Sequence, residues 1–323
     1  MDYINRITEG NCLQHLKGLP DRSVNTCVTS PPYWGLRDYG NNQQLGMEET
    51  PEAYIANLVA VFTEVKRVLE DDGTLWVNIG DSYASAAGGY AGDCKKTKNT
   101  GFISKGTKGA VLKRNKVVAG LKPKDLVGIP WLLAFALRAD GWYLRQDIIW
   151  SKPNCMPEAV KDRCTKTHEY IFLLSKKKEY YYDYEAIRTP MADSSIKRAQ
   201  QDIAKQKGAI GNGGNKTNGR MKMVGDVNLG ANKKSVWTVS PSQFKEAHFA
   251  TFPEKLIVDC IKAGCPEHGV VLDPFMGAGT TALVASKLNR HFIGFELNPD
   301  YIAIANRRLD EHLGMFRKEA HDV

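Results

Sequence analysis

No apolar run in this chain approaches the roughly 20 residues needed to cross a bilayer, and no basic start leads into the apolar stretch of an export signal. A cytoplasmic location and no membrane partner are therefore expected. Cysteine is sparse: the seven (Cys12, Cys27, Cys94, Cys155, Cys164, Cys260, Cys265) include no CxxC pair. Zinc-ligand spacing is missing, no metal is expected, and in a reducing compartment buried thiols are more natural than disulfides. Acid is absent where base is dense. From Cys94 to Lys124 the chain carries ten Lys or Arg and not one Asp or Glu. A second basic stretch, Ser195 to Lys234, is interleaved with "GAIGNGGNKTNG". One such loop is an ordinary solvated surface; two, in a chain of net charge +8, point toward a polyanion, because phosphate neutralisation uses flexible cationic side chains.

What remains has the punctuation of an α/β protein. The 323 residues are 42% hydrophobic, enough for one large core or two small ones. The first block, Tyr3 to Asp81, reads as a short strand, the helix-like "NCLQHLKGLP", a strand before "TSPPYW", an amphipathic helix over Glu52 to Leu69, and the strand "GTLWVNIGD". A second block holds a helix near Asp125 to Ala139, then "GWYLRQDIIWSKP" and "HEYIFLLSK", which suit an antiparallel pair. The span to about Ser240 offers no convincing element. From Thr251 onward come helix, strand, glycine loop, helix, strand and helix. Strands alternating with helices at these intervals predict a doubly wound, Rossmann-like sheet.

In "GVVLDPFMGAGTTALVASKLNRHFIGFELNPDY" a strand runs into Asp273, then a loop with Gly277 and Gly279, then a helix beginning near Thr280. Glycines let a backbone approach a ligand at a helix start. The next strand ends in Glu296, near 20 residues on, where a carboxylate accepts from ribose hydroxyls. "GAGTTA" lacks the lysine of a P-loop, which disfavours ATP and GTP, and Ala282 stands beyond the second glycine where a dinucleotide fold prefers a third. S-adenosylmethionine needs no pyrophosphate cradle but does need an acid near its ammonium, which Asp273 can supply. Phe275, Thr280 and Asn298 are candidate lining residues, the last two with helix capping as the plain alternative. Upstream, Thr251 to Glu254 has capping-box spacing, and that helix start suits the methionine carboxylate.

"TSPPYW" follows the strand Val24 to Val28. Pro31 and Pro32 fix φ and cannot donate, so the chain after Ser30 is a stiff acceptor. An exocyclic base amine is a poor nucleophile because its lone pair is delocalised. With Ser30 Oγ and the Pro31 carbonyl each accepting one amine hydrogen, its nitrogen can move toward sp³ geometry and aim at a sulfonium methyl. Tyr33 then stacks on a flipped base and Trp34 walls the pocket on the DNA side. Asp81 either accepts from the target amine or caps the following turn.

These residues resemble the β-class DNA amino-methyltransferases, in which a catalytic [S/N/D]PP[Y/F/W] motif precedes the cofactor motif. "TSPPYW" is similar to the catalytic motif in its serine form, "DPFMGAGTT" to the cofactor motif, "FIGFELNPDY" to the ribose-binding motif and "HFATFPEKL" to the helix before them. "IPWLLAFALRADGWYLRQDIIWSKPNCMPE" resembles the family's middle segment. The resemblance implies S-adenosylmethionine as methyl donor, double-stranded DNA as substrate and a seven-stranded sheet with one antiparallel strand. It divides the chain into a catalytic half (1–175, with a basic insertion at 83–124), a target-recognition region (176–245) and a cofactor half (246–323). Lys152 and Asn154 of "WSKPN" are then expected beside the flipped nucleotide, and Arg198, Arg220 and Gln243 at base edges or phosphates. Serine at position 30 resembles the family's N4-cytosine members; N6-adenine is the alternative. A C5-cytosine mechanism is disfavoured because no Pro-Cys nucleophile is present. A cognate restriction nuclease, an RNA or protein-glutamine methyltransferase, a non-catalytic DNA-binding module and a nicotinamide oxidoreductase remain open.

Overall fold

A computed structural model describes residues 3–35, 43–84, 120–155, 157–191, 196, 230–241 and 252–319. Eight strands form one sheet in the order β1-β8-β7-β2-β3-β5-β4-β6. They are β1 (Arg6–Glu9), β2 (Val24–Thr29), β3 (Leu69–Ile79), β4 (Tyr143–Ser151), β5 (His168–Ser175), β6 (Val236–Thr238), β7 (Val270–Asp273) and β8 (His291–Glu296). Only β5 is reversed: it runs antiparallel to both β3 and β4, and every other pairing is parallel.

The doubly wound class and the single reversed strand agree with the sequence; the strand count does not. Val236–Thr238 lies in a span where no element was expected, and it pairs in parallel with Ile149–Ser151 of β4. Three residues carry too little periodicity to announce themselves, so this strand owes its existence to the edge it covers.

Among the described residues, helices α1 (Cys12–Lys17), α2 (Pro51–Val68) and α3 (Ile129–Ala139) pack together on one face. Helices α4 (Glu254–Gly264), α5 (Thr280–Lys287) and α6 (Pro299–Glu319) form the other layer. A sheet covered on both sides needs apolar residues at consecutive positions, and Gly73 to Ile79 of β3 are all buried. In α2 the buried Tyr54, Leu58, Val61, Phe62 and Val65 recur at helical spacing. The helix starts with Pro51 in its first turn and the Thr50 hydroxyl accepting the Ala53 N–H at 3.2 Å.

Two expected helix starts shift for local reasons. Helix α3 begins at Ile129 rather than near Asp125, because Gly128 adopts φ +85 as its N-cap. Helix α4 starts at Glu254 with no side-chain cap. The Glu254 carboxylate binds Lys287 at 2.7 Å and Arg308 at 3.4 Å. Thr251 lies outside the described residues.

The chain divides into two compact units, residues 183–234 and the remainder. Within the smaller unit the Asp183 carboxylate accepts the Glu185 and Ala186 N–H groups, and Thr189 exchanges two backbone bonds with Ala231, at 2.9 and 2.8 Å.

Phe62 of α2 is fully buried in the hydrophobic core. Phe62→Ala is expected to lower unfolding stability by about 3–5 kcal/mol in urea titration; a loss below about 1 kcal/mol would show that the two-layer packing is wrong here.

Candidate active site

The winding of the sheet reverses between β7 and β2. From β7 the chain moves outward through α5 to β8, and from β2 it moves the other way through α2 to β3. Crevices at the carboxyl ends of such neighbouring strands are the ligand sites of doubly wound sheets. Here β2 delivers Ser30 and the two prolines, β7 delivers Asp273 and the glycine turn, and β8 ends in Glu296.

Asp273 is 1% exposed and spends its carboxylate inside the protein. Oδ1 accepts the Thr29 hydroxyl at 2.6 Å and the Phe275 N–H at 3.0 Å, while Oδ2 accepts the Thr281 hydroxyl at 2.6 Å. The acid expected beside a cofactor ammonium is therefore a tie between the end of β2, the glycine turn and α5. Burial raises its pKa to about 6, with the bonds from Thr281, Thr29 and Phe275 opposing the rise.

Glu296 caps the same turn from the other side. Oε2 accepts the Gly277 N–H at 2.7 Å and Oε1 accepts the Asn298 N–H at 2.9 Å. Desolvation raises its pKa, opposed by those backbone bonds. Gly277 has φ +53 and Gly279 φ +76, both in the left-handed region. A Cβ on Gly279 would come within 2.6 Å of Ala305, whereas one on Gly277 would meet nothing within 4 Å. Gly279 is thus glycine for helix packing, and Gly277 borders open space.

Asn298 accepts the Asp300 N–H at 2.9 Å and so caps α6. Thr280 is buried, and its hydroxyl accepts Arg308 Nη1 at 3.2 Å. Arg308 also donates to the Ala278 carbonyl, at 2.5 Å, which fixes the back of the turn. Both side chains, Thr280 and Asn298, hold the turn in place. Phe275 is partly buried against the core.

At the Ser30 corner the Pro32 carbonyl accepts the Tyr54 hydroxyl at 2.8 Å. The Tyr33 ring lies over Gly80, where a Cβ would approach within 2.6 Å of its edge. The Tyr33 hydroxyl lies 2.7 Å from Glu169 Oε2 and 3.3 Å from Asn78 Oδ1. Burial, then the charge of Glu169, raises the phenol pKa well above its usual value. Glu169 in turn forms an ion pair with Lys152, whose ammonium sits 4.1 Å from the Trp150 ring centroid. Asn154 is exposed in the following turn.

One expectation at this corner is corrected, for Trp34, and one of the two alternatives for Asp81 is observed. Trp34 is 3% exposed, belongs to the core and donates Nε1–H to the Glu48 carbonyl at 3.0 Å, so it is not a DNA-facing residue. Its indole is worth more buried than solvated. Asp81 Oδ1 accepts the N–H groups of Ser82, Gly128 and Ile129 at 2.9, 3.0 and 3.0 Å. Asp81 caps α3, where Gly128 has no side chain to do so. Arg198, Arg220 and Gln243 lie outside the described residues.

Sequence reasoning missed Thr29, Thr281, Asn78, Gly80 and Glu169. The alternation of "HEYIFLLS" places Glu169, Ile171 and Leu173 on one face of β5. A carboxylate at the start of an otherwise apolar strand face was the available signal for Glu169.

A family model described as DNA methylase matches residues 24–307, a span that contains both strand ends just described. The chain belongs to the DNA methylase family. It is 46% identical over 301 residues to the Type II methyltransferase M.Cfr9I of Citrobacter freundii, covering 93% of this chain and 86% of that one. To the Type II methyltransferase M.SmaI of Serratia marcescens it is 44% identical over 304 residues, covering 94% and 90%. Among solved structures, PvuII DNA methyltransferase (cytosine-N4-specific) matches with a TM-score of 0.61 at 19% identity, covering 94% of this chain and 85% of that one. A Thermus thermophilus protein, a DNA modification methylase by its description and complexed with S-adenosyl-L-methionine, matches at 0.56 and 22%, covering 95% and 93%. These two likenesses concern the fold. No helix among the described residues of this DNA methylase is long and apolar enough to cross a membrane.

The raised pKa of Asp273 has a measurable sign. Its folded value of about 6 exceeds the unfolded value of about 3.9, so its contribution to stability is fully present below about pH 4 and is lost as pH rises through about 6. In Asp273→Asn the amide oxygen can keep the Thr29 and Phe275 bonds, and the Thr281 hydroxyl can turn to the Val28 carbonyl, 3.4 Å away. The unfolding free energy of wild type minus Asp273→Asn is expected to fall by about 2 kcal/mol between pH 4.5 and 7.5. A difference that rises over that range would mean that the charged form stabilises the fold.

Proposed function

We propose that this DNA methylase transfers a methyl group from S-adenosylmethionine to the exocyclic N4 amine of a cytosine flipped out of double-stranded DNA. The observation that carries this reading is the junction of the Ser30 corner and the Gly277 turn at neighbouring strand ends, with Asp273 bonded to both sides.

The residues present fit the donor. The Gly277 turn leaves open space where any other residue would put a Cβ, and Glu296 stands beside it with lone pairs left after its two backbone bonds. Glu296 accepts from the ribose hydroxyls, and Phe275 with the turn flanks the adenosine. Asp273 acts at one remove, setting the spacing between turn and corner. When bound, the cofactor supplies an electrophilic sulfonium methyl.

The rest of the work belongs to the chain. Ser30 Oγ and the Pro31 carbonyl accept the two amine hydrogens, which orients the nitrogen lone pair. The prolines hold that geometry without rearrangement, and Tyr54 pins the second of them. The Tyr33 ring, seated on Gly80, supports the base. Lys152 and Asn154 stand on the DNA side of the corner, and Arg198 and Arg220 belong to the segment that reads the target or its phosphates. The serine at position 30 supports cytosine over adenine. The cytosine-N4 specificity in the name of the PvuII enzyme and the Type II names of the relatives support the same reading, with a cognate restriction nuclease as partner.

Duplex DNA of mixed sequence, incubated with donor carrying a deuterated methyl and digested to nucleosides, is expected to give labelled N4-methylcytosine by mass spectrometry. Labelled N6-methyladenine would overturn the choice of base, and label in RNA or protein alone would overturn the substrate. Ser30→Ala is expected to cut turnover about 100-fold or more with cofactor Kd little changed. Glu296→Ala should weaken cofactor binding roughly 10- to 100-fold and leave saturated turnover less affected. Equal effects of both on cofactor affinity would remove the division of roles.

A further inference from the structure

A ring that supports a base is useful only if it is held in one orientation, and the contacts around Tyr33 show what holds it. Its backbone is confined first. The Pro32 carbonyl accepts the Tyr54 hydroxyl at 2.8 Å, and the Tyr33 carbonyl lies so close to Gly46 that a Cβ there would meet its oxygen at 2.9 Å. Rotation about χ1 and χ2 is a separate freedom. Gly80 limits it from below: a Cβ at that position would stand 2.6 Å from Tyr33 Cε2, 3.1 Å from Cδ2 and 3.3 Å from Cζ. That side of the ring therefore rests on glycine backbone and can move no further toward it.

The hydroxyl fixes the far end. A tyrosine has one proton to give, and two oxygens stand near it, Glu169 Oε2 at 2.7 Å and Asn78 Oδ1 at 3.3 Å. The carboxylate is charged and closer, so it takes the bond. Glu169 is itself held from two neighbouring strands. From β3, Asn78 Nδ2 donates to Glu169 Oε2 at 3.3 Å and to the Tyr170 carbonyl at 3.1 Å. Lys152, just past the end of β4, pairs with Oε1, and its backbone N–H donates to the Thr167 carbonyl at 2.8 Å. In the antiparallel ladder Ile79 pairs with Tyr170, so Gly80 and Glu169 are next in line. Seat and anchor thus come from one place, the start of the reversed strand. The side chains of Glu169 and Lys152 are only 15% and 19% exposed. An ion pair so far from water adds little stability over apolar packing; what it supplies here is a fixed oxygen.

The geometry points to Glu169 as a positioning residue: its carboxylate anchors the Tyr33 hydroxyl, so that the ring meets the flipped base in one fixed orientation. This rests on the reading above in which Tyr33 supports that base. Glu169 plays its part through the phenol alone. A ring released at its far end can swing, and a base lying against it swings too. Transfer rates respond steeply to such displacement, by about 100-fold for 1 Å. Affinity responds less, because phosphate contacts supply much of the binding to DNA. The anchor is therefore read in the rate of methyl transfer and not in the grip on DNA or donor.

Single-turnover methyl transfer with the full chain, saturating donor and duplex DNA tests this. Glu169→Ala is expected to slow it about 10- to 100-fold, with Kd for donor and for DNA within about threefold. Tyr33→Phe removes only the phenol oxygen and should slow transfer into the same range. Because anchor and ring act as one unit, the double variant Tyr33→Phe/Glu169→Ala should be no slower than the slower single. Glu169→Gln, whose amide can still bond the phenol, should run at least about threefold faster than Glu169→Ala. Glu169→Ala within threefold of wild type would overturn the proposal, as would single losses that multiply in the double variant. So would Glu169→Gln as slow as Glu169→Ala, which would assign the loss to the missing charge. Should Glu169→Ala fail to fold, Tyr33→Phe decides: a rate within threefold of wild type would overturn the anchor. Failure here is distinguishable from failure of the parent reading, since wild type that methylates no DNA amine overturns that reading, whereas active wild type with unaffected variants overturns only the anchor.

Discussion

The buried carboxylate of Asp273 joins two stretches of chain that stand 244 residues apart, through the Thr29 hydroxyl on one side and the Thr281 hydroxyl and Phe275 N–H on the other. Everything at the site takes its position from that junction. Thr29 is the last residue of β2 and immediately precedes the Ser30 corner, while Phe275 opens the glycine turn. An unpaired charge in this position would be costly; three donors offset most of that cost, and the remainder shows as a pKa raised to about 6. What the protein gains is a fixed distance between the Ser30 corner and the Gly277 turn, the quantity on which the proposed transfer depends.

A second carboxylate, Glu169, organises the corner itself. It stands at the start of the one reversed strand, so the reversal has a chemical consequence. Because β5 runs against β3, its first residues meet the last residues of β3, and Glu169 arrives beside Asn78, Tyr33 and Lys152. A parallel strand in that place would present its carboxyl end instead.

Much of this was legible in the sequence because local pattern and chemistry agreed. The glycine turn between β7 and α5, the Pro31–Pro32 corner after β2 and the antiparallel pairing of β4 with β5 each follow from a few adjacent residues. The misreadings share one origin. Asp273 reads as an open carboxylate because its partners Thr29 and Thr281 are invisible from its neighbours in the chain. Asp81 reads as either an acceptor for the target amine or a cap because Gly128, 47 residues later, does not announce that its helix lacks a cap. Trp34 reads as a pocket wall, since nothing local says that Glu48 will accept its indole N–H. Lone polar residues at strand ends find their partners through tertiary structure, and periodicity does not record that.

The central claim is spatial: the Ser30 corner and the Gly277 turn serve one bound donor. A crystal structure with S-adenosylhomocysteine tests it most directly. The account predicts the sulfur roughly 5–8 Å from Ser30 Oγ, the span of one hydrogen bond, one near-attack gap and one carbon–sulfur bond. A sulfur more than roughly 12 Å away, too far for an amine held at Ser30 to reach the methyl, would contradict it.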